Sequence, residues 1–120
     1  SPLLPGDSYE FTFSASPGER LSFATMFVQS NDLFYAPRES GIFLFDQNGD
    51  PIQGDITSEL FLWDAGTEVN QAPGDGADQA PRQPGPNTGA TENGVVRVVN
   101  DGYLYPSIND VIQVTIALVP

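Results

Sequence analysis

Trp63-Asp64-Ala65-Gly66-Thr67-Glu68 sets two carboxylates four residues apart around a glycine, at the mouth of a long polar stretch. On a helix Asp64 and Glu68 would share a face and repel, so the pair fits an irregular turn that something positive holds together. Hard cations such as Ca²⁺ take several oxygen ligands, and a loop offers carboxylates and backbone carbonyls side by side. The competing reading is a solvated acidic turn. Asp46-Gln47-Asn48-Gly49-Asp50 resembles the start of an EF-hand loop but lacks its later glutamate, and strand-like segments flank it. It reads as a hairpin turn around Asn48-Gly49. Asp75 and Asp78 read as solvated acids.

The whole chain carries the same bias. Sixteen acids face four bases, all arginine, for a formal net charge of −12. Such a field repels nucleic acid and anionic headgroups and attracts cations. There is no histidine and no cysteine, which removes the common general base, the usual zinc ligands, thiolate sites and disulfides. No apolar run approaches the roughly 20 residues of a membrane helix. The chain opens at Ser1 without a signal-like segment, compatible with removal of a leader, and its acidic, lysine-free composition suits a secreted or marine bacterial protein. A length of 120 residues with 39% hydrophobic content makes residues 1–120 one domain with a single core.

The elements that must position the acids are short and mostly of period two, which indicates strands. Tyr9 to Phe13 alternates and is fenced by Pro5-Gly6 and Pro17-Gly18; Leu21 to Val28 follows as a central strand, and Gly41 to Phe45 as a third, with a return strand from Ile52. Asp55 to Trp63 reads as a short turn followed by a strand, and Val95 to Val99 and Asp110 to Val119 as two more. The expectation is an all-β chain of roughly seven strands, most simply a sandwich. Between Asp64 and Gly94 lies a stretch without Leu, Ile or Phe and with four prolines. Loops longer than about 15 residues are usually functional or disordered, and a cation at the root is the simplest pin. Trp63 reads as a core anchor rather than a glycan-stacking residue, Tyr35, Tyr103 and Tyr105 as surface candidates for a partner, and Arg82 as the partner of a carboxylate.

Two motifs resemble one family. Ser30-Asn31-Asp32-Leu33 is similar to the S-P-D-W type segment of spondin N-terminal domains, and Trp63-Asp64-Ala65-Gly66-Thr67-Glu68 to their W-D-A-G-T-D segment. The bacterial members give the closest likeness, strongest over Phe23 to Asp32 and extending over residues 3 to 119. The resemblance implies a C2-like antiparallel β-sandwich with one long Pro/Gly/Asn-rich loop, binding calcium at one end through Asp32, Asp64 and Glu68. The chain departs from the animal members in having Glu68 for Asp and Leu33 for Trp, and it starts without the family's opening strand. A missing strand would leave an edge that pairs with something.

The expected function is therefore an extracellular calcium-binding module for adhesion or matrix attachment, with an extracellular protein or glycan as partner. A structural subunit of a filament or surface assembly, joined to further copies by strand addition at the exposed edge, is the alternative. A carbohydrate-active enzyme working through paired carboxylates is the third reading and the least supported.

Overall fold

The computed structural model describes residues 2–120. The fold is all-β: among the described residues there are eight short strands, paired antiparallel, with one 3₁₀ turn at Thr57–Glu59 and a four-residue helical turn, α1, at Ile108–Val111. The strands are β1 Arg20–Leu21, β2 Thr25–Met26, β3 Leu33–Pro37, β4 Ile42–Phe43, β5 Gly54–Asp55, β6 Leu60–Asp64, β7 Arg97–Val98 and β8 Thr115–Ile116. The largest sheet has the order β2-β3-β6-β7; β1 pairs with β4, and β5 with β8.

β3 and β6 are the scaffold of the site. They pair over five residues, from Leu33↔Asp64 to Pro37↔Leu60. Strand alternation turns Leu33, Tyr35 and Pro37 inward, where all three are buried, and leaves Phe34 and Ala36 half-buried on the other face. On β6 the inward set ends in Asp64, which is only 1% exposed. A carboxylate thus sits where the apolar face of the sheet runs out. Phe27, Leu33, Tyr35, Ile42, Ile56 and Leu60 form the core, and Phe23, Val114 and Ile116 pack against it. Full burial of such a side chain contributes about 1.5–3 kcal/mol, so these positions hold β3 and β6 in place.

The opposite face of the sheet carries a second apolar row. Register places Met26 beside Phe34, Phe34 beside Trp63 and Trp63 beside Val98. Trp63 is therefore not a core residue, contrary to the sequence expectation: its odd-even phase on β6 matches Phe61, not Leu60 and Leu62. Its ring is pinned across β3 by Nε1 donating to the Ala36 carbonyl at 3.2 Å.

Several expected strands differ. Among the described residues no backbone hydrogen bond joins residues 10–14 to another segment, so the Tyr9 to Phe13 stretch, strand-like in pattern, is not a strand. Leu21 to Val28 is broken into β1 and β2. The expected strand from Asp110 begins instead as α1 and pairs only at Thr115–Ile116. The Asn48-Gly49 hairpin is present: the Asp46 amide donates to the Asp50 carbonyl at 2.9 Å, Gly49 has φ 80°, and Phe45 bridges Pro51. The turn-then-strand reading of Asp55 to Trp63 also matches Thr57–Glu59 and β6.

Candidate functional site

The site is assembled at the junction of β3, β6 and β7. Asp32 precedes β3, Asp64 closes β6, and the register Asp64↔Arg97 brings β7 alongside. The chain turns sharply after Asp64. The Gly66 amide donates to Asp64 Oδ1 at 2.7 Å, and Gly66 adopts φ 77°. A Cβ there would stand 2.8 Å from the Gly94 carbonyl carbon and the Val95 oxygen, so only glycine lets the 94–95 backbone pass this close.

Asp32 clamps the turn. Its Oδ2 accepts from the Thr67 amide at 2.8 Å, the Thr67 hydroxyl at 3.0 Å and the Glu68 amide at 3.0 Å. Its other oxygen, Oδ1, is buried and has no partner. Asp64 Oδ2 accepts from Asn70 Nδ2 at 2.7 Å and faces Arg97 Nη2 at 3.2 Å. The same Asn70 nitrogen donates to Asp101 Oδ2 at 3.0 Å, while Asn70 Oδ1 is buried without a partner. Asp101 is fixed in turn by the Tyr103 amide, 3.0 Å from Oδ1, and by the Tyr105 hydroxyl on Oδ2. Burial, with that bond to Asp101, pushes the Tyr105 hydroxyl well above the ordinary phenol range. Arg97 holds its proton more firmly than a free guanidinium, first through Glu92 at 2.6 Å and further through the charges of Asp64 and Asp32.

Glu68 goes elsewhere. Its side chain is buried beneath the returning end of the loop, where Oε1 accepts from the Gly89 amide at 3.0 Å. A Cβ on Gly89 would collide with that carboxylate. So the structure brings Asp32 and Asp64 to one turn, whereas Glu68 meets Asp32 through its backbone amide and spends its carboxylate on the loop.

The long loop is closed by its own stem. The Val69 amide donates to the Ala90 carbonyl, Glu92 to Thr67 and Gly94 to Gly66, at 2.8 to 2.9 Å, and Glu68 bridges Thr91. Beyond the stem, amides replace an apolar core. Gln79, 0% exposed, donates to the Ala72 and Gln71 carbonyls and accepts from the Gly74 amide and Arg82 Nη2. Asn31 docks this cluster by exchanging hydrogen bonds with Gln71. Arg82 bonds Gly76, Gln79 and Gln29 rather than the carboxylate expected for it.

The other aromatic expectations also divide. Tyr35 is in the core, 2% exposed, because it alternates with Leu33 and Pro37 on β3; Tyr103 is exposed and Tyr105 half-buried. On the outer face Phe61, Trp63 and Val98 form a shallow groove with Arg38, Glu39 and Ser40 at its rim.

Among the described residues no three acidic side chains stand close enough to cage a metal ion by themselves. Two side-chain oxygens at the turn, Asp32 Oδ1 and Asn70 Oδ1, are buried without a partner, and the Asn70 amide nitrogen bonds the buried Asp64 carboxylate. The acceptors are all oxygens, the chemistry of Ca²⁺ or Mg²⁺ rather than of zinc or copper. Asn70, Arg97 and Asp101 lie outside the motifs that flagged the site. Compared with protein-family models, with curated proteins and with solved structures, the chain matches none.

Proposed function

We propose that the chain is an extracellular attachment module whose 64–70 turn binds a hard divalent cation, Ca²⁺ first among them, and that binding rather than catalysis is its role. The observation that carries this is the pair of buried acceptors without donors, Asp32 Oδ1 and Asn70 Oδ1, next to Asp64. An unmet buried acceptor costs about 1–3 kcal/mol, which a bound cation would relieve while offsetting the charge of Asp32 and Asp64. The −12 surface concentrates cations around it. The likeness of the two acidic motifs to spondin domains supports the same ion and an extracellular protein or glycan as partner. The apolar row along Phe61, Trp63 and Val98 is the surface on which such a partner would rest.

Calorimetric titration of the purified chain tests the cation reading. The expected result is saturable Ca²⁺ uptake that Asp64→Ala removes and Asp50→Ala, in the distant hairpin, leaves intact. Equal weak uptake by both variants would reduce the effect to screening of the surface charge.

A second reading, assembly by strand addition, is favoured by the 10–14 segment. It lacks backbone partners among the described residues and exposes Phe11 at 68% and Phe13 at 42%. Such a segment can add to the open edge of another copy's sheet. Light scattering across a wide concentration range decides it: a strict monomer throughout refutes assembly.

A further inference from the structure

We infer that the acceptor for the 10–14 segment is the open edge of β7 in a second copy of this chain, with Phe11 and Phe13 laid beside Val96 and Val98. This rests on the assembly reading above and names the surface through which it works. The chain by itself buries too little. A folded monomer of 12.9 kDa exposes about 6,300 Å² on the usual scaling of surface with mass, whereas this one exposes 8096 Å². Its radius of gyration is 16.1 Å, where about 13.6 Å is ordinary for 120 residues. A standard protein contact covers about 800 Å² on each partner, so a copy that donates at one contact and accepts at another loses about 1,600 Å², close to the excess of about 1,800 Å².

The arm is one half of the match. Every residue from 2 to 14 is exposed, Leu3, Leu4, Phe11 and Phe13 among them. The Phe11 and Phe13 ring centroids stand 5.9 Å apart on one side of the chain, as residues two apart on a strand do. The arm leads into β1, which pairs with β4, and among the described residues the 10–14 backbone bonds to no strand of its own chain.

The other half is β7. It ends the large sheet, which leaves one side of its backbone open. Edges of this kind are commonly blunted by charge, proline or a bulge. Here Val95, Val96 and Val98 are all exposed, and the one charge among them, Arg97, is turned onto Asp64 and Glu92 of its own chain. Register puts Val98 on the Trp63 face, and Val96 has the same phase. A strand added at this edge sets Phe11 and Phe13 against the two valines, and aromatic against β-branched is a favoured cross-strand pair. It extends the row of Met26, Phe34, Trp63 and Val98 by one more place. At the opposite end of the sheet β2 offers only Met26 as an exposed apolar side chain, beside the buried Phe27, so it fits the arm less well. Donor and acceptor are different surfaces, so the contact is head-to-tail and each added copy presents the next arm or edge.

The experiment separates the two halves on the full chain. Phe11→Ser with Phe13→Ser removes the donor, and Val96→Lys blocks the acceptor; all three positions are exposed, and circular dichroism checks that each variant folds. By light scattering the wild type should gain mass with concentration, and each variant alone should stay at the mass of one chain. An equimolar mixture of the two should reach twice that mass and no more, because the intact arm of one variant fits the intact edge of the other. Should Val96→Lys fail to fold, Val98→Lys takes its place. Self-association persisting in either variant, or a mixture that stays monomeric, would overturn the β7 assignment while leaving assembly standing. A strictly monomeric wild type would overturn both.

Discussion

Asp32 has two jobs that a pair of substitutions can separate. Its Oδ2 holds two backbone amides and a hydroxyl from the 67–68 turn, and its Oδ1 is the orphaned acceptor. Asp32→Ala removes both. Thr67 is exposed, so water replaces its bonds, but the Glu68 amide is part-buried and stays unpaired. A bond to a charged group contributes about 1.5–3 kcal/mol, so with relief of repulsion from Asp64 the net loss should be about 2 kcal/mol. For a domain of this size that lowers Tm by about 8 °C. Asp32→Asn keeps an oxygen for the Glu68 amide and should cost about half as much. Free Ca²⁺ at about 100 times its Kd should add about 2.7 kcal/mol to the wild type and close to nothing to either variant. Thermal denaturation followed by circular dichroism, with Ca²⁺ and with chelator, reads both effects. A wild-type calcium shift retained in Asp32→Asn would refute the claim that the ion uses Oδ1. An Asp32→Ala variant as stable as wild type in chelator would refute the clamp.

Tyr35→Phe should stabilise the fold by about 1 kcal/mol in urea denaturation, because the hydroxyl it removes is buried without a partner. Burial also pushes the Tyr35 hydroxyl up to about 12. Its pKa is about 10 when unfolded, so the folded state binds the proton more tightly, and the wild type should lose about 1.4 kcal/mol per pH unit from pH 10 to 12. Tyr35→Phe lacks that contribution, and parallel alkaline curves for the two proteins would contradict it. Gly89→Ala should loosen the loop stem, because its methyl meets the Glu68 carboxylate; faster amide exchange at Val69 and Glu92 with unchanged exchange at Tyr35 is the expected pattern. Phe11→Ser should leave the unfolding free energy within about 0.5 kcal/mol of wild type, as exposed positions do, and should abolish any self-association.

How much of this was legible depended on whether the information was local. Leu60 to Asp64 is a compact apolar run ending in an acid, and Asn48-Gly49 dictates its own turn, so both read correctly. β3 was missed because Phe34 and Ala36 are apolar as well as Leu33 and Tyr35, which hides the alternation, and because Pro37 looks like a terminator. Tyr9 to Phe13 erred in the opposite direction: alternation reports a taste for extended backbone, and pairing needs a partner that the pattern cannot name. The same limit applied to the site. Asp64 was visible within its motif, but Arg97, Asn70 and Asp101 reach it only through β6–β7 register and the closing of the loop. Gln79 gave no signal, since a buried glutamine is recognised only by the four groups around it.

The amide cluster beyond the stem divides the molecule into two regimes of response. Gln71, Gln79 and Asn31 carry no charge, the oxygens that receive Arg82 belong to Gly76, Gln79 and Gln29, and a carboxylate joins the cluster where Asp78 accepts from Gln71 Nε2 at 2.9 Å. Dissolved ions screen charge pairs with a Debye length of about 8 Å at physiological strength, yet scarcely touch buried bonds between neutral amides. Added salt should therefore leave the outer 71–83 turn largely in shape while the Asp64–Arg97 pair slackens. A surface built this way keeps its contour in waters of very different salinity, and only the ground it stands on senses the change.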